Sequence, residues 1–155
     1  MSALRCNVLV TESKVNMSRS WRQLRHPWDD KGQDCGTASK ITVSAENHEA
    51  TGGLVLIGNG RLYGGDFRIF PTADLHDGLL DVCVFPRVTW LTLAYCGPYL
   101  LLRGTLPPGV AVSFRARSFS LTSATLAPLE IDGELVGHLP ATFSVAPSGL
   151  RVIVP

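Results

Sequence analysis

A cysteine framework is missing from this 155-residue sequence, because its four cysteines form no recognisable ligand or disulfide pattern. Cys6, Cys35, Cys83 and Cys96 are widely spaced, and none belongs to a Cys-x-x-Cys pair. This spacing argues against a zinc site and against a disulfide framework, and it is typical of a reducing, cytosolic setting. Cys83 lies in a strand-like apolar run and Cys96 in a helical pattern, so we expect both to be small core residues.

Long apolar runs and an excess of one charge are also missing. No run reaches the ~20 residues needed to span a bilayer, and the apolar residues 8–10 are too few for the hydrophobic region of a signal peptide. The formal net charge is +1 without an extended basic stripe, which argues against nucleic acid as the main partner. The length fits one compact domain.

No phosphate-binding loop can be identified. The sequence contains no Gly-x-x-x-x-Gly-Lys-Ser/Thr motif, and its Gly-Gly pairs at 52–53 and 64–65 are not followed by Asp-Gly. An independent cradle for nucleotide phosphates is therefore not expected in this chain.

Residues 1–40 differ from the rest in charge and pattern. They hold seven Lys or Arg against four Asp or Glu, whereas residues 41–155 hold seven against nine. The segment 18–30 is polar, basic and interrupted by proline, which favours a loop-rich or partly disordered stretch. With Trp21 and Trp28 it would either contact an anionic membrane surface or form a solvated tail. We expect a divergent, loop-rich N-terminal segment at 1–40 and a folded domain at 41–155.

The pattern of residues 41–155 indicates a mainly β domain. Short apolar or alternating runs separated by Gly and Pro predict strands at 41–45, 54–57, 67–70, 80–85, 110–114, 118–121, 129–131, 142–145 and 150–154. This pattern favours a two-layer antiparallel β-sandwich with one short helical segment, preceded by an irregular N-terminal stretch.

The helical segment has clear boundary signals. Thr89 is a plausible N-cap and Gly104 ends the apolar pattern. Pro98 lies inside the pattern, so we expect a kink or a break there. Trp90 is expected on the helix face that packs against a sheet.

Residues 59–82 combine a Gly-rich turn, a strand, a proline and an acidic loop. Glycines in this segment can adopt positive φ, which permits tight turns and a close approach to a ligand. Asp74, Asp77 and Asp81 offer oxygen ligands of the kind that a hard divalent cation binds. The alternative for the acidic loop is an Asx-type turn that holds no ion.

A second group of carboxylates lies at Asp132 and Glu134, on either side of Gly133. An Asp-Gly pair between apolar runs is a strong signal for a tight β-hairpin. The residues alone leave open whether this element is only a turn or also carries chemistry.

Four elements, in this order, resemble the C-terminal half of the diacylglycerol kinase-like lipid kinases, a family that includes the sphingosine kinases and bacterial lipid kinases. They are Asn-Gly-x-x-x-Gly-Gly at 59–65, Pro-x-Ala-x-x-x-Asp-Gly-Leu-Leu-Asp-Val at 71–82, Ile-Asp-Gly-Glu at 131–134, and the closing residues 150–155. Each is weak alone, but four in the family's order make coincidence a poor explanation. The resemblance covers residues 41–155 and implies a two-layer sandwich. Asp66 departs from it, because many members have a third glycine there.

The resemblance implies one half of an ATP-dependent lipid kinase that phosphorylates a lipid hydroxyl, such as that of diacylglycerol or a sphingoid base. The nucleotide-binding domain would be supplied upstream or in trans, so we expect the isolated chain to be inactive. By resemblance, Glu134 is the general base, and Asp132 orients that base or holds metal. A cytoplasmic protein, peripheral at the membrane where it meets its substrate, is the expected setting.

The resemblance also implies a structural Mg²⁺ site in the acidic loop. Its ligands would be the side chain of Asp77 and the backbone carbonyls of Asp74 and Leu79, whereas catalytic Mg-ATP would need the missing domain. A non-catalytic β-sandwich module that binds lipid or regulates a partner kinase is the alternative to the enzyme.

Overall fold

The computed structural model of the chain describes residues 7–11 and 40–146. Ten strands and one helix occur in these residues. In chain order they are β1 (Asn7–Thr11), β2 (Ile41–Ala45), β3 (His48–Gly52), β4 (Leu54–Gly58), β5 (Leu80–Phe85), α1 (Trp90–Arg103), β6 (Val112–Ala116), β7 (Ser118–Ser123), β8 (Pro128–Ile131), β9 (Glu134–His138) and β10 (Ala141–Ser144).

The strands form two sheets. One has six strands in the order β6-β5-β4-β1-β8-β9, and the other has four in the order β10-β7-β2-β3. Every pair of neighbouring strands is antiparallel. The predicted mainly β, antiparallel two-layer fold with a single helical segment is confirmed for the described residues.

The space between the two sheets is filled by an inner core. Its buried members come from both sheets and include Ile41, Val43, Val55, Ile57, Val82, Val84, Phe119 and Leu121. Because side chains alternate along a strand, the intervening residues of β4 and β5 face the other side of the six-stranded sheet. There Leu56, Cys83 and Phe85 pack with Ile69, Phe70 and Ala73 in a second group, the outer cluster.

Helix α1 begins and ends where the sequence predicts. Thr89 closes a capping box with Thr92, and Gly104 is left-handed with φ 66° and donates its N–H to the carbonyl of Leu100. The helix is continuous through Pro98, so the predicted break does not occur. Both ends of the helix are capped, which favours the helical conformation on either side of the proline.

The prediction that Trp90 packs against a sheet is wrong, because its side chain is 63% exposed. Only Cys96 of α1 is buried, and Leu100 packs on the outer cluster. Six residues at 3.6 per turn place Trp90 about 120° around the helix from Cys96. The expected burial of Cys83 and Cys96 is confirmed, whereas Cys6 and Cys35 lie outside the described residues.

Several strands differ from the sequence prediction. Residues 67–70 form only isolated bridges, Tyr63 with Phe67 and Arg68 with Thr105. Strands β1, β3 and β9 have no counterpart among the predicted strands, and residues 150–154 lie outside the described part. Strand β1 falls within the segment predicted to be loop-rich, but it pairs with β4 and β8 inside the larger sheet. Within the described residues, no helix is long and apolar enough to cross a membrane.

Candidate active site

The connection between β4 and β5, residues 59–79, covers the outer face of the six-stranded sheet. Phe70 anchors it, since this ring is 2% exposed and packs in the outer cluster. Gly58 makes room for the ring, because a Cβ at that position would lie 2.4 Å from Phe70 Cε2. The anchor therefore depends on a strand residue without a side chain.

Backbone hydrogen bonds close the Gly-rich turn over this anchor. Tyr63 donates its N–H to the carbonyl of Phe67 at 2.8 Å, and Gly64 and Gly65 between them have φ 58° and 108°. The side chain of Arg61 donates from Nε to the carbonyl of Ala73 at 3.1 Å. Positive φ is strained for most L residues, so the two glycines are required by the turn itself. Asp66, the residue that departs from the resemblance, is exposed.

Tyr63 brings the Gly-rich turn close to the second carboxylate group. Burial raises the pKa of the Tyr63 phenol, and the negative charges of Glu130 and Asp132 raise this pKa further. The strand register explains this arrangement, because β4 and β8 both pair with β1 and end opposite its adjacent residues Asn7 and Val8. The two elements that the sequence singles out separately are therefore neighbours in the fold.

Glu130 and Tyr63 were not among the predicted site residues. A signal for Glu130 was present, since it alternates with Leu129 and Ile131, which belong to or pack on the inner core. An acidic residue between two core-facing residues must lie on the opposite face of the sheet. Nothing local in the sequence places Tyr63 beside it.

The Asp-Gly pair forms the predicted hairpin between β8 and β9. Asp132 has φ 50° and Gly133 has φ 92°, and Ile131 lies opposite Glu134. Two central residues with positive φ are the mark of a type I′ turn. Glu134 is the first residue of β9, and its exposed side chain makes no hydrogen bond or ion pair with the described residues. A carboxylate so placed is accessible to a substrate hydroxyl.

The acidic loop is organised by its own hydrogen bonds. Asp74 Oδ1 accepts the backbone N–H of His76 at 3.0 Å, and this bond, with a second to the His76 ring, holds the pKa of Asp74 below its usual value. Asp77 Oδ1 accepts the N–H of Leu79 at 2.8 Å. These are Asx-type turns, so the alternative interpretation accounts for the shape of the loop.

Asp77 also anchors the loop to the neighbouring strand. Its Oδ2 accepts a hydrogen bond from Arg115 Nη1 of β6 at 3.0 Å. Arg115 was not predicted, and its guanidinium supplies positive charge beside the carboxylate that was expected to hold Mg²⁺. Among residues 7–11 and 40–146, no three His, Cys, Asp or Glu side chains are grouped as a metal site.

The donor chemistry of the loop still suits Mg²⁺. The set that the resemblance implies, one Asp77 carboxylate and the carbonyls of Asp74 and Leu79, contains oxygen only, which is the preference of this ion. The carbonyl of Asp74 also accepts a hydrogen bond from the Asp77 N–H, at 3.4 Å. A bound ion would therefore share these oxygens with hydrogen bonds that already shape the loop.

Asp81 is the one buried charged residue of residues 40–146. Its Oδ1 accepts a 3.4 Å hydrogen bond from Thr72 Oγ1, while Oδ2 has no partner in the described residues. Burial raises the pKa of Asp81, an effect that the nearby Arg115 opposes. Arg115 lies opposite Asp81 in the β5–β6 register, so one arginine serves both carboxylates.

Comparison with known proteins agrees with this architecture. Residues 36–154 match the model of the YegS C-terminal NAD kinase beta sandwich-like domain. A "Probable lipid kinase YegS-like" protein of Stenotrophomonas maltophilia (strain K279a) is 36% identical over 101 residues, which are 64% of this chain and 32% of that protein. A protein of the same description from Pseudomonas aeruginosa (strain UCBPP-PA14) is 34% identical over 99 residues, with the same two coverages.

A diacylglycerol kinase from Bacillus anthracis str. Sterne has a similar structure. The TM-score is 0.55 at 21% identity, over 70% of this chain and 38% of that one, so this likeness concerns the fold alone. The chain spans about a third of the length of the curated relatives, 32%. Because the family model matches most of the chain, the chain belongs to the YegS C-terminal NAD kinase beta sandwich-like domain family and is similar to the C-terminal domain of bacterial lipid kinases.

Proposed function

We propose that this chain forms the lipid-substrate side of an ATP-dependent lipid kinase, which phosphorylates a lipid hydroxyl such as that of diacylglycerol or a sphingoid base. The observation that carries the proposal is that the Gly-rich turn and the Asp132–Glu134 hairpin follow strands that end at the same end of the six-stranded sheet, since Gly58 and Ile131 lie opposite the adjacent residues Asn7 and Val8 of β1. These are the elements that resemble the lipid kinases, and they are distant in sequence but close in the fold.

Glu134 is the proposed general base. Its exposed carboxylate at the start of β9 accepts the proton of the lipid hydroxyl while the hydroxyl oxygen attacks the γ-phosphorus of ATP, and the bond to the bridging oxygen breaks to release ADP. Such transfers depend mainly on position and on charge stabilisation. Asp132, at the turn, orients the base. Tyr63 remains a neutral phenol because its raised pKa keeps the proton on it, so it can donate a hydrogen bond at this edge.

A nucleotide-binding domain is the proposed partner of this edge. The sequence contains no phosphate-binding motif, so ATP would be held by a domain supplied upstream or in trans. Mg²⁺ in the acidic loop, on Asp77 and the carbonyls of Asp74 and Leu79, would add rigidity to the connection that carries the Gly-rich turn.

The test joins this chain to the upstream domain of the Stenotrophomonas maltophilia relative. With labelled ATP, Mg²⁺ and a panel of diacylglycerol and sphingoid lipids, the joined protein should form phosphorylated lipid and the isolated chain should not. Glu134→Gln preserves size but removes basicity, so it should lower kcat by roughly 10²–10⁴-fold with an unchanged melting temperature. Glu49→Gln, at an exposed glutamate of β3 in the other sheet, is the matched control.

A non-catalytic lipid-binding or regulatory module is the second candidate. The hairpin geometry favours it, because the positive φ values of Asp132 and Gly133 already explain why Asp-Gly occurs at this turn. Turnover of Glu134→Gln within a few-fold of the parent would reject Glu134 as base. If the joined protein phosphorylates neither lipid class, the result would favour the non-catalytic module.

A further inference from the structure

Helix α1 carries a large apolar surface that no described residue covers. Six of its side chains are more than half exposed, namely Trp90 (63%), Leu91 (60%), Leu93 (64%), Tyr95 (56%), Leu101 (78%) and Leu102 (84%). Arg103 is the single charged residue of the helix. A helix that is apolar around its whole circumference is normally buried, and a contiguous exposed apolar patch of this kind marks an interaction surface.

The patch contains a shallow, open depression on the surface of α1. A cavity of about 260 Å³ is lined by Ala94, Tyr95, Pro98, Tyr99, Leu102 and Arg103. The guanidinium of Arg103 lies 5.6 Å from the centre of the Tyr99 ring, an arrangement in which the ring face attracts the cation. The lining of this depression is therefore mainly apolar, and Arg103 adds a positive charge to it.

The charged residues of α1 and of its flanking sequence are all positive, and Asp66, whose backbone approaches Gly104, is an exposed acid near the end of the helix. No Asp or Glu occurs between Asp81 and Glu130, an interval that contains Arg87, Arg103, Arg115 and Arg117. Arg87 and Arg103 flank α1, and both are exposed. An apolar face bordered by cations and by Trp and Tyr rings is complementary to an anionic lipid surface. A helix of 14 residues is too short to span the bilayer, which needs ~20, and would lie in its surface.

The helix is also tied to the candidate site. The N–H of Arg68 donates to the carbonyl of Gly104 at 2.6 Å, and Arg68 bridges to Thr105 just beyond the helix. The residue that ends α1 is thus held by the same connection that carries the Gly-rich turn. A lipid that reached the depression would be on the same face of the six-stranded sheet as that turn.

We propose that α1 docks this protein on an anionic bilayer, with the Leu101 and Leu102 side chains among the acyl chains and Arg87 and Arg103 on headgroup phosphates. The proposal rests on the proposed function, because a kinase of membrane lipids must work at the bilayer surface. It assigns that contact to α1 rather than to the basic segment 18–30.

The test is vesicle binding by the full chain with Trp21→Phe and Trp28→Phe, which leaves Trp90 as its only tryptophan. Phosphatidylcholine vesicles that contain phosphatidylglycerol should shift Trp90 emission to the blue, and brominated acyl chains should quench it. Leu101→Glu/Leu102→Glu should lower the partition coefficient roughly tenfold or more. Leu126→Glu, at a leucine that is 70% exposed outside the helix, is the matched control and should bind like the parent.

Arg87→Gln and Arg103→Gln provide a second set of variants that preserves the apolar face. Each should weaken binding to the anionic vesicles about fivefold and have little effect on pure phosphatidylcholine. Circular dichroism melting of every variant checks that the fold is intact. Binding that survives Leu101→Glu/Leu102→Glu, or that occurs without a change in Trp90 emission, would overturn the proposal in favour of another segment.

Two other occupants of the patch have distinct outcomes. Self-association that Leu101→Glu/Leu102→Glu abolishes would identify a second copy, and loss of vesicle binding in the joined protein would identify the nucleotide-binding domain. Either result overturns the bilayer. Failure of docking is separable from failure of catalysis in the joined protein. There, Leu101→Glu/Leu102→Glu should still phosphorylate a short-chain lipid in solution, whereas Glu134→Gln should phosphorylate it roughly 10²–10⁴-fold more slowly but still bind vesicles.

Discussion

Gly58→Ala should destabilise the protein more than an ordinary change in a strand, because it acts on the anchor of the candidate site. The added Cβ would lie 2.4 Å from Cε2 and 2.6 Å from Cδ2 of Phe70. Real contacts of this kind are seldom closer than about 3.4 Å, so the ring must move by about 1 Å. Phe70 is 2% exposed and is enclosed by the outer cluster.

The expected loss follows from how little room the ring has. Overpacking of a closed core costs about 1–3 kcal/mol, and a value in this range should appear in the free energy of unfolding from urea titration. Gly137→Ala is the control, since no atom lies within 4 Å of its Cβ position. Alanine in place of a strand glycine without such a contact should be neutral or stabilising by up to ~1 kcal/mol.

A double mutant tests the cause. Phe70→Leu removes the ring atoms that the new Cβ would meet, so it should cost less in the Gly58→Ala background than in the parent. A coupling energy of about 0.5–3 kcal/mol is the usual size for residues in contact. Two results would refute the steric explanation. One is that the two substitutions have additive effects; the other is that Gly58→Ala changes the free energy of unfolding by less than about 0.5 kcal/mol, the usual size of a surface effect.

Two further changes probe the acidic loop. Asp77→Ala removes the acceptor for both Leu79 and Arg115, so it should lower the melting temperature. If Mg²⁺ binds at Asp77, millimolar Mg²⁺ should raise the melting temperature of the parent but not that of Asp77→Ala. If the melting temperature of the parent does not rise, the loop is a turn that holds no ion. Burial raises the pKa of Asp81 above its unfolded value near 3.8, so the folded state holds this proton more tightly and stability should fall as the pH rises from that value through the folded pKa. Asp81→Asn should flatten this part of the curve of melting temperature against pH, and an unchanged slope would contradict the assignment.

The parts of the fold that the sequence predicts correctly are those determined by neighbouring residues. Strands β4 and β5 are apolar on successive positions because both of their faces are covered, and such runs are conspicuous. The ends of α1 follow from Thr89 and Gly104, whose capping chemistry is local. The Asp132-Gly133 hairpin is local for the same reason.

The missed strands owe their structure to distant partners. Strand β3 is polar and largely exposed, as befits the edge of the smaller sheet, so its sequence shows no apolar alternation. Strand β1 is only five residues long, and it acquires its place from pairing with β4 and β8. Short segments of this kind are ambiguous until the rest of the sheet exists.

The side-chain contacts of the site could not be predicted for a related reason. The influence of Glu130 and Asp132 on the pKa of Tyr63 and the hydrogen bond from Arg115 to Asp77 both depend on strand order and not on spacing in the sequence. The error at Trp90 has another origin. An apolar pattern all around α1 indicates burial on every side, but it does not identify which side faces the sheet.

The two faces of the six-stranded sheet contact different parts of the structure. Along β5, Val82 and Val84 enter the inner core, while Asp81, Cys83 and Phe85 lie on the face that carries α1 and residues 59–79. Inner-face residues need only apolar shape, which many sequences satisfy. The outer face holds a buried carboxyl oxygen without a partner in the described residues and an apolar helix that no described residue covers, and each of these features lowers the stability of the described fold taken by itself.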